Sequence, residues 1–157
     1  MYDLDLKNKV ILITGGSDGL GYASAELLSS EGAHVVVCGR RGDYLNEKAK
    51  IISEKTKNDV LPIQADVSKA DDCKRLVEEI ISKFKKIDVL VNNAGASAAA
   101  LFEDVSDKNW QDDINLKLMS TIRMCRLVIP YMKSNNGGVI INATIGGCLL
   151  YTSPSPR

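Results

Sequence analysis

The sequence predicts an α/β chain built on a doubly wound parallel sheet, and three observations lead there. Five short, β-branched apolar runs recur along the chain, segments with helical spacing separate them, and a glycine-rich turn joins the first run to the first helical segment. Runs apolar on both faces suit strands of a parallel sheet, because helices cover both sides of such a sheet. Strict alternation of strand and helix then imposes right-handed crossovers.

The elements follow in order. Val10–Thr14 (VILIT) is the first strand, and Leu20, Ala23, Leu27 and Leu28 stripe the helix after it. His34–Cys38 (HVVVC) and Val60–Ile63 (VLPI) are the second and third strands. Ser68 is the expected N-cap of the next helix, with Asp71 at its third position and Ala70, Leu76, Ile80 and Phe84 as its apolar face. Ile87–Asn92 (IDVLVN) is the fourth strand. A long helix is predicted from near Ser106, carrying Trp110, Ile114, Leu118, Ile122 and Cys125 and ending before Pro130. Val139–Asn142 (VIIN) is the fifth strand.

Composition narrows the function classes. The chain has 157 residues, 45% of them hydrophobic, which supports a sizeable core. Its 20 Lys+Arg balance 20 Asp+Glu and aromatics make up 5%, so neither a nucleic acid nor an anionic membrane is an expected partner. Four Cys lack metal-ligand spacing and His34 is the single His, so no metal site is expected. Reduced thiols fit a cytoplasmic protein. No apolar run reaches the roughly 18 residues of a membrane span, and Met1–Lys9 is too polar for a secretory signal.

Residues 148–157 (CLLYTSPSPR) stand apart, with no periodicity and two Pro among the last six. The decapeptide matches the translation of a transposon-end adapter of shotgun sequencing libraries. It is therefore read as a non-native tail, with residues 1–147 forming an incomplete domain, truncated after its fifth strand.

Chemistry concentrates first in Thr14-Gly15-Gly16-Ser17-Asp18-Gly19-Leu20-Gly21. Glycines there let the backbone turn and approach a ligand without a Cβ in the way, and the following helix directs free N–H groups at it. Gly15, Ser17, Asp18, Gly19, Leu20 and Gly21 are thus candidate phosphate contacts. A ligand-free strand–helix turn is the plain structural alternative. At the end of the second strand Gly39 stands where an acid would accept hydrogen bonds from a ribose 2′-hydroxyl, and Arg40-Arg41 follow. Two guanidinium forks favour a 2′-phosphate, hence NADP rather than NAD, against the alternative of a solvated basic turn and against the negative charge of Asp18.

The G-x-x-x-G-x-G spacing resembles that of the short-chain dehydrogenase/reductase family. Asn92-Asn93-Ala94-Gly95 after the fourth strand is similar to that family's NNAG segment, Asp66-Val67 to its adenine-contacting pair, and Asn115 to the Asn of its catalytic tetrad. The resemblance runs from about Leu6 to Gly147 and implies a Rossmann-like fold. It also implies hydride transfer between a nicotinamide and a carbonyl or alcohol substrate, with Asn93, Ala94 and Gly95 beside the cofactor and Asn115 holding a proton-relay water. It further implies a homo-oligomeric parent, since the long helix commonly packs against another subunit.

The family's proton donor is a Tyr-x-x-x-Lys pair, in which a neighbouring Lys⁺ brings the Tyr hydroxyl, with its ordinary pKa near 10, within reach of neutrality. Tyr44–Lys48 is the one such pair in the chain, and it falls far from the expected place, on what reads as a surface helix. Family spacing places that Tyr just past Arg157. The family's Ser aligns with Ile145, so Thr144, one residue earlier, is the candidate hydroxyl. The chain alone is therefore expected to be catalytically inert. A non-catalytic dinucleotide-binding sensor or regulator is the rival reading, and a flavodoxin-like protein a third.

Overall fold

The computed structural model describes residues 4–96 and 101–144. It contains strands β1 (Val10–Thr14), β2 (His34–Gly39), β3 (Val60–Gln64), β4 (Val89–Asn92) and β5 (Val139–Asn142). Helices α1 (Gly19–Ser30), α2 (Gly42–Thr56) and α3 (Ala70–Phe84) follow the first three strands. Between β4 and β5 run α4 (Asp107–Ile114), a π-helical turn (Asn115–Met119) and α5 (Ser120–Ser134). All strand pairs are parallel, in the order β3-β2-β1-β4-β5. The predicted doubly wound sheet is therefore observed, with β5 as its last strand among the described residues.

Alternating side chains divide the core into two layers, as the strand period requires. Ile11, Ile13, Val35 and Val37 pack with Ala25 of α1 and Leu45, Ala49 and Ile52 of α2. Val10, Leu12, Val36 and Leu90 pack on the other face with Cys73, Leu76, Val77 and Ile80 of α3 and Met124, Val128 and Met132 of α5. The chain moves outward from β1 to β3, then returns across the sheet to place β4 beside β1. A topological switch point thus lies between the C-terminal ends of β1 and β4, where doubly wound sheets open their ligand crevice.

Four sequence expectations are corrected. Ser68 does not cap α3: Lys69 holds the N-cap position, and the Ser68 hydroxyl donates to Asp66 Oδ1 at 2.7 Å instead. Pro130 does not end the long helix; α5 runs through it to Ser134. Pro130 and Arg126, whose carbonyl loses its partner there, are both exposed, so water can satisfy the orphaned group. The expected stripe of α1 is only partly its inner face, because Leu28 packs half-buried on the core whereas Leu20, Ala23 and Leu27 are exposed and Gly21, Ala25 and Ser29 are buried. Likewise Trp110, Ile114, Leu118 and Ile122 are exposed, and Ser120, Met124, Val128 and Met132 form the inner face of α5.

Candidate coenzyme site

The switch point is a cleft of about 560 Å³, within the size range of small-molecule and cofactor sites. Three segments at strand C-termini form it: the glycine-rich turn after β1, Gly39–Arg41 at the end of β2, and Ala65–Val67 after β3, with Asn93–Gly95 after β4 closing one side.

Each loop is tied down by the backbone of its neighbour. Gly15 and Gly16 donate from their N–H groups to the Cys38 carbonyl at 2.9 and 3.1 Å, which fixes the turn on the end of β2. Gly15 has φ +68°, a left-handed conformation that favours glycine, and a Cβ there would stand 2.9 Å from Ala94 Cα. At Gly21 a Cβ would come within 2.2 Å of the Gly15 carbonyl oxygen and 2.6 Å of Asn93 Nδ2. The last glycine of the motif is thus a close-packing residue beneath the turn. Gly19, φ +52°, opens α1 with free space where its Cβ would be.

Thr14 joins the two halves of the crevice. Its Oγ1 accepts from the backbone N–H of Asn93 at 2.9 Å and of Ala94 at 3.0 Å, and Asn93 Nδ2 donates back to the Thr14 and Gly15 carbonyls at 3.1 and 3.2 Å. The side chain of Thr14 is buried at the end of β1. Sequence reasoning quoted Thr14 as the opening of the motif without giving it this role. Only the β1–β4 pairing brings a hydroxyl and two N–H groups from residues 79 and 80 positions away into contact.

On the β2–β3 side, Arg40 and Arg41 both line the cleft. The Arg41 guanidinium pairs with the Asp18 carboxylate and lies over the Tyr44 ring, 4.2 Å from its centroid. Tyr44 in turn donates its hydroxyl to Asp18 Oδ1 at 2.7 Å. That bond, above all, holds the Tyr44 hydroxyl above its ordinary pKa, with burial adding to it. The Tyr44 hydroxyl is thus taken up by Asp18 on the β2 side of the cleft. Asp66 accepts from the N–H and hydroxyl of Ser68 at 3.1 and 2.7 Å, while its own N–H donates to Asp72 Oδ2 at 2.7 Å. The hydrogen bond from the Asp66 N–H is the main cause that draws the Asp72 carboxyl below its usual range. Burial pushes the Cys38 thiol up to about 12, so this cleft residue is no nucleophile.

Most sequence-predicted contacts converge on the cleft: Gly15, Ser17, Asp18, Gly19, Arg40, Arg41, Asp66, Val67, Asn93, Ala94 and Gly95 all line it. Leu20 does not, being exposed one residue inside α1, and Gly21 supports the turn from below. Asn115 sits in the π-helical turn, where its neighbour Leu116 reaches the cleft wall. Thr144 lies exposed just beyond β5. Ile145 and the 148–157 segment lie outside the described residues. Among the described residues no group of three or more His, Cys, Asp or Glu could hold a metal ion. None of the helices there is long and apolar enough to cross a membrane.

Residues 9–150 match the family model described as short chain dehydrogenase. The chain belongs to that family. It is 36% identical over 143 residues to a 3-oxoacyl-(acyl-carrier-protein) reductase of Chlamydia trachomatis, covering 90% of this chain and 58% of the relative. Among solved structures it resembles L-sorbose reductase from Gluconobacter frateurii, complexed with NADPH and L-sorbose, at TM-score 0.87 and 37% identity, over 90% of this chain and 54% of that one. It also resembles a 7α-hydroxysteroid dehydrogenase complexed with NADH and 7-oxo glycochenodeoxycholic acid, at TM-score 0.85 and 31% identity, over 92% of this chain and 57% of that one. The chain spans about half the length of the curated relatives it matches.

The residues present fit a nicotinamide dinucleotide. Where a bulky anionic ligand must approach, Gly19 carries no Cβ and has open space in its place, the start of α1 faces the cleft, and two arginines stand at its β2 end.

Proposed function

We propose that this chain is the coenzyme-binding portion of an NADP-preferring oxidoreductase acting on a carbonyl or alcohol substrate. One observation carries the reading: Arg40 and Arg41 line the same cleft as the glycine-rich turn, with no acid at Gly39 to receive a ribose 2′-hydroxyl. The bound dinucleotide supplies hydride transfer at its nicotinamide. Gly15, Ser17 and Gly19 bind its pyrophosphate, with Gly21 holding the turn and Asp18 and Leu20 beside it. Arg40 and Arg41 bind the 2′-phosphate, and Asp66 and Val67 border the adenine. Asn93, Ala94 and Gly95, locked to Thr14, line the opposite wall, and Asn115 positions a water for proton relay. Thr144 supplies the hydroxyl beside the substrate.

The parent enzyme is a cytoplasmic homo-oligomer that buries the exposed apolar residues of α4 and α5, and residues 148–157 are no part of it. The chain alone does not turn over, since Tyr44 of its one Tyr-x-x-x-Lys pair donates its hydroxyl to Asp18, on the β2 side of the cleft. Calorimetric titration of the purified protein tests the reading. NADPH is expected to bind more tightly than NADH, with Gly21→Val abolishing both interactions and no NADPH consumed in the presence of carbonyl substrates. Absence of dinucleotide binding would overturn the reading, and carbonyl-dependent NADPH oxidation would overturn the inertness.

A further inference from the structure

The loop after β3 is held from three directions. Ala65 donates its N–H to the Gly39 carbonyl of β2 at 3.0 Å. From α3, Asp72 accepts the Asp66 N–H at 2.7 Å, and the Cys73 thiol donates to the Val67 carbonyl at 3.2 Å. The third hold comes from much further along the chain. Arg123 of α5 donates from Nη1 to the Ser68 carbonyl at 2.8 Å, across 55 residues. Asp66 in turn accepts the N–H and hydroxyl of Ser68, so Arg123 bears through Ser68 on a carboxylate that lines the cleft.

Packing alone does not call for a guanidinium at this position. Met124, Val128 and Met132 already dock α5 on the core that α3 shares. Arg123 is half-buried, and among the described residues no carboxylate pairs with it. Its donor group reaches the segment that leads into α3, where a helix dipole disfavours a cation. Partial burial adds a desolvation cost, which the Ser68 carbonyl offsets. The other end of the brace also bears on the cleft. α5 continues from the π-helical turn, and Leu116 of that turn lines the cleft. Arg123 thus braces the β3 loop against the helix that carries another part of the same wall.

We propose that Arg123 is a positioning residue for the coenzyme, whose hold on the Ser68 carbonyl fixes Asp66 and Val67 where the adenine binds. This rests on the reading that puts the adenine beside those two residues. Arg123 does not itself line the cleft, so it acts through Ser68 rather than on the ligand. Without it the loop must be ordered as the coenzyme binds, and that cost falls on the adenosine half.

The test is calorimetric titration of NADPH and of 2′,5′-ADP, its adenosine half, into the purified protein and its R123M, R123K, D66A and D66A/R123M variants. Each variant is checked for a melting transition well above the titration temperature. R123M is expected to weaken both ligands about tenfold, the size of one hydrogen bond from a charged donor. R123K, which keeps the charge and one donor, should recover part of that loss. In the D66A background, R123M should cost less than about twofold, because the contact it secures is already gone. A merely structural Arg123 would weaken binding equally in both backgrounds, and that result overturns the proposal. Unchanged affinity in R123M overturns it as well, and so does a loss in R123K as large as in R123M. If neither ligand binds the parent sequence, the underlying reading fails and the proposal falls with it. If both bind and D66A weakens them while R123M does not, the positioning role alone fails.

Discussion

The β3-β2-β1 half of the sheet and the β4-β5 half are made of equally apolar sequence but end in different surroundings. VILIT of β1 is buried at every position. VIIN of β5 is half-buried at Ile140 alone, with Val139 54% and Ile141 49% exposed. The inner half has helices on both faces, α1 and α2 on one and α3 on the other. The outer half has α5 packed on one face, and Val89 and Val91 of β4 are only partly buried on the other. Apolar sequence thus shows that a strand is able to be buried; its neighbours decide whether it is. The cleft straddles this boundary. Its turn and arginines stand on the doubly covered half, whereas Asn93, Ala94, Gly95 and Leu116 line it from the open half.

Truncation mutants on the two halves should break the comparison most visibly. Leu12→Ala, at a fully buried position of β1, should cost about 2–5 kcal/mol of unfolding free energy, and Ile141→Ala less than about 1 kcal/mol, measured by urea titration. Similar costs at the two sites would mean that β5 is covered in solution. Thr14→Val tests the seam between the halves. It leaves the part-buried Asn93 and Ala94 N–H groups without their acceptor, an expected loss of about 1–2 kcal/mol with weakened dinucleotide binding. Dinucleotide affinity equal to that of the parent sequence would show that the seam does not shape the cleft.

A smaller effect is expected at the opposite end of the strands. Asp88 accepts the Val10 N–H at 2.7 Å and pairs with Lys86 at 2.9 Å. Burial works against its charged form, but the Val10 hydrogen bond and Lys86 outweigh it and draw its carboxyl below the usual value. A depressed carboxyl stabilises the fold above the unfolded-state pKa, and that contribution disappears as pH falls through the folded value. Asp88→Asn should therefore lower stability by about 1 kcal/mol at neutral pH and flatten the loss seen below about pH 4. An unchanged pH slope would contradict this. Least of all, Val139→Thr with Ile141→Thr should leave stability within about 0.5 kcal/mol while raising the concentration at which light scattering detects association. No gain in solubility would show that this face is not the adhesive one.

Strands and turns were legible in the sequence because their signals are local. A run such as HVVVC fits few settings other than a buried strand, and Gly15 and Gly21 mark places where backbone must come close to backbone. Helix faces were less legible. Leu20 and Leu27 are larger and more apolar than Gly21, Ala25 and Ser29, yet the small residues face inward because α1 lies against the glycine-rich turn and its neighbours. Trp110, Ile114 and Leu118 form a stripe of correct period, but period says only that some partner is wanted. The sequence marks Tyr44 only by a catalytic spacing in the wrong place. Its bond to Asp18 spans 26 residues and depends on how α2 docks beside the turn.

The sequence by itself determined the order and type of the elements, the position of the coenzyme turn and the basic character of its β2 flank. These follow from hydrophobic period, glycine's missing Cβ and formal charge, all of which travel with the residues. Tertiary structure alone decided which apolar faces are covered, that Thr14 laces β1 to the loop after β4, and that Asp18 takes hold of Arg41. Each of these is a contact between distant residues, and its free energy exists only once the parallel sheet has brought the strand ends together.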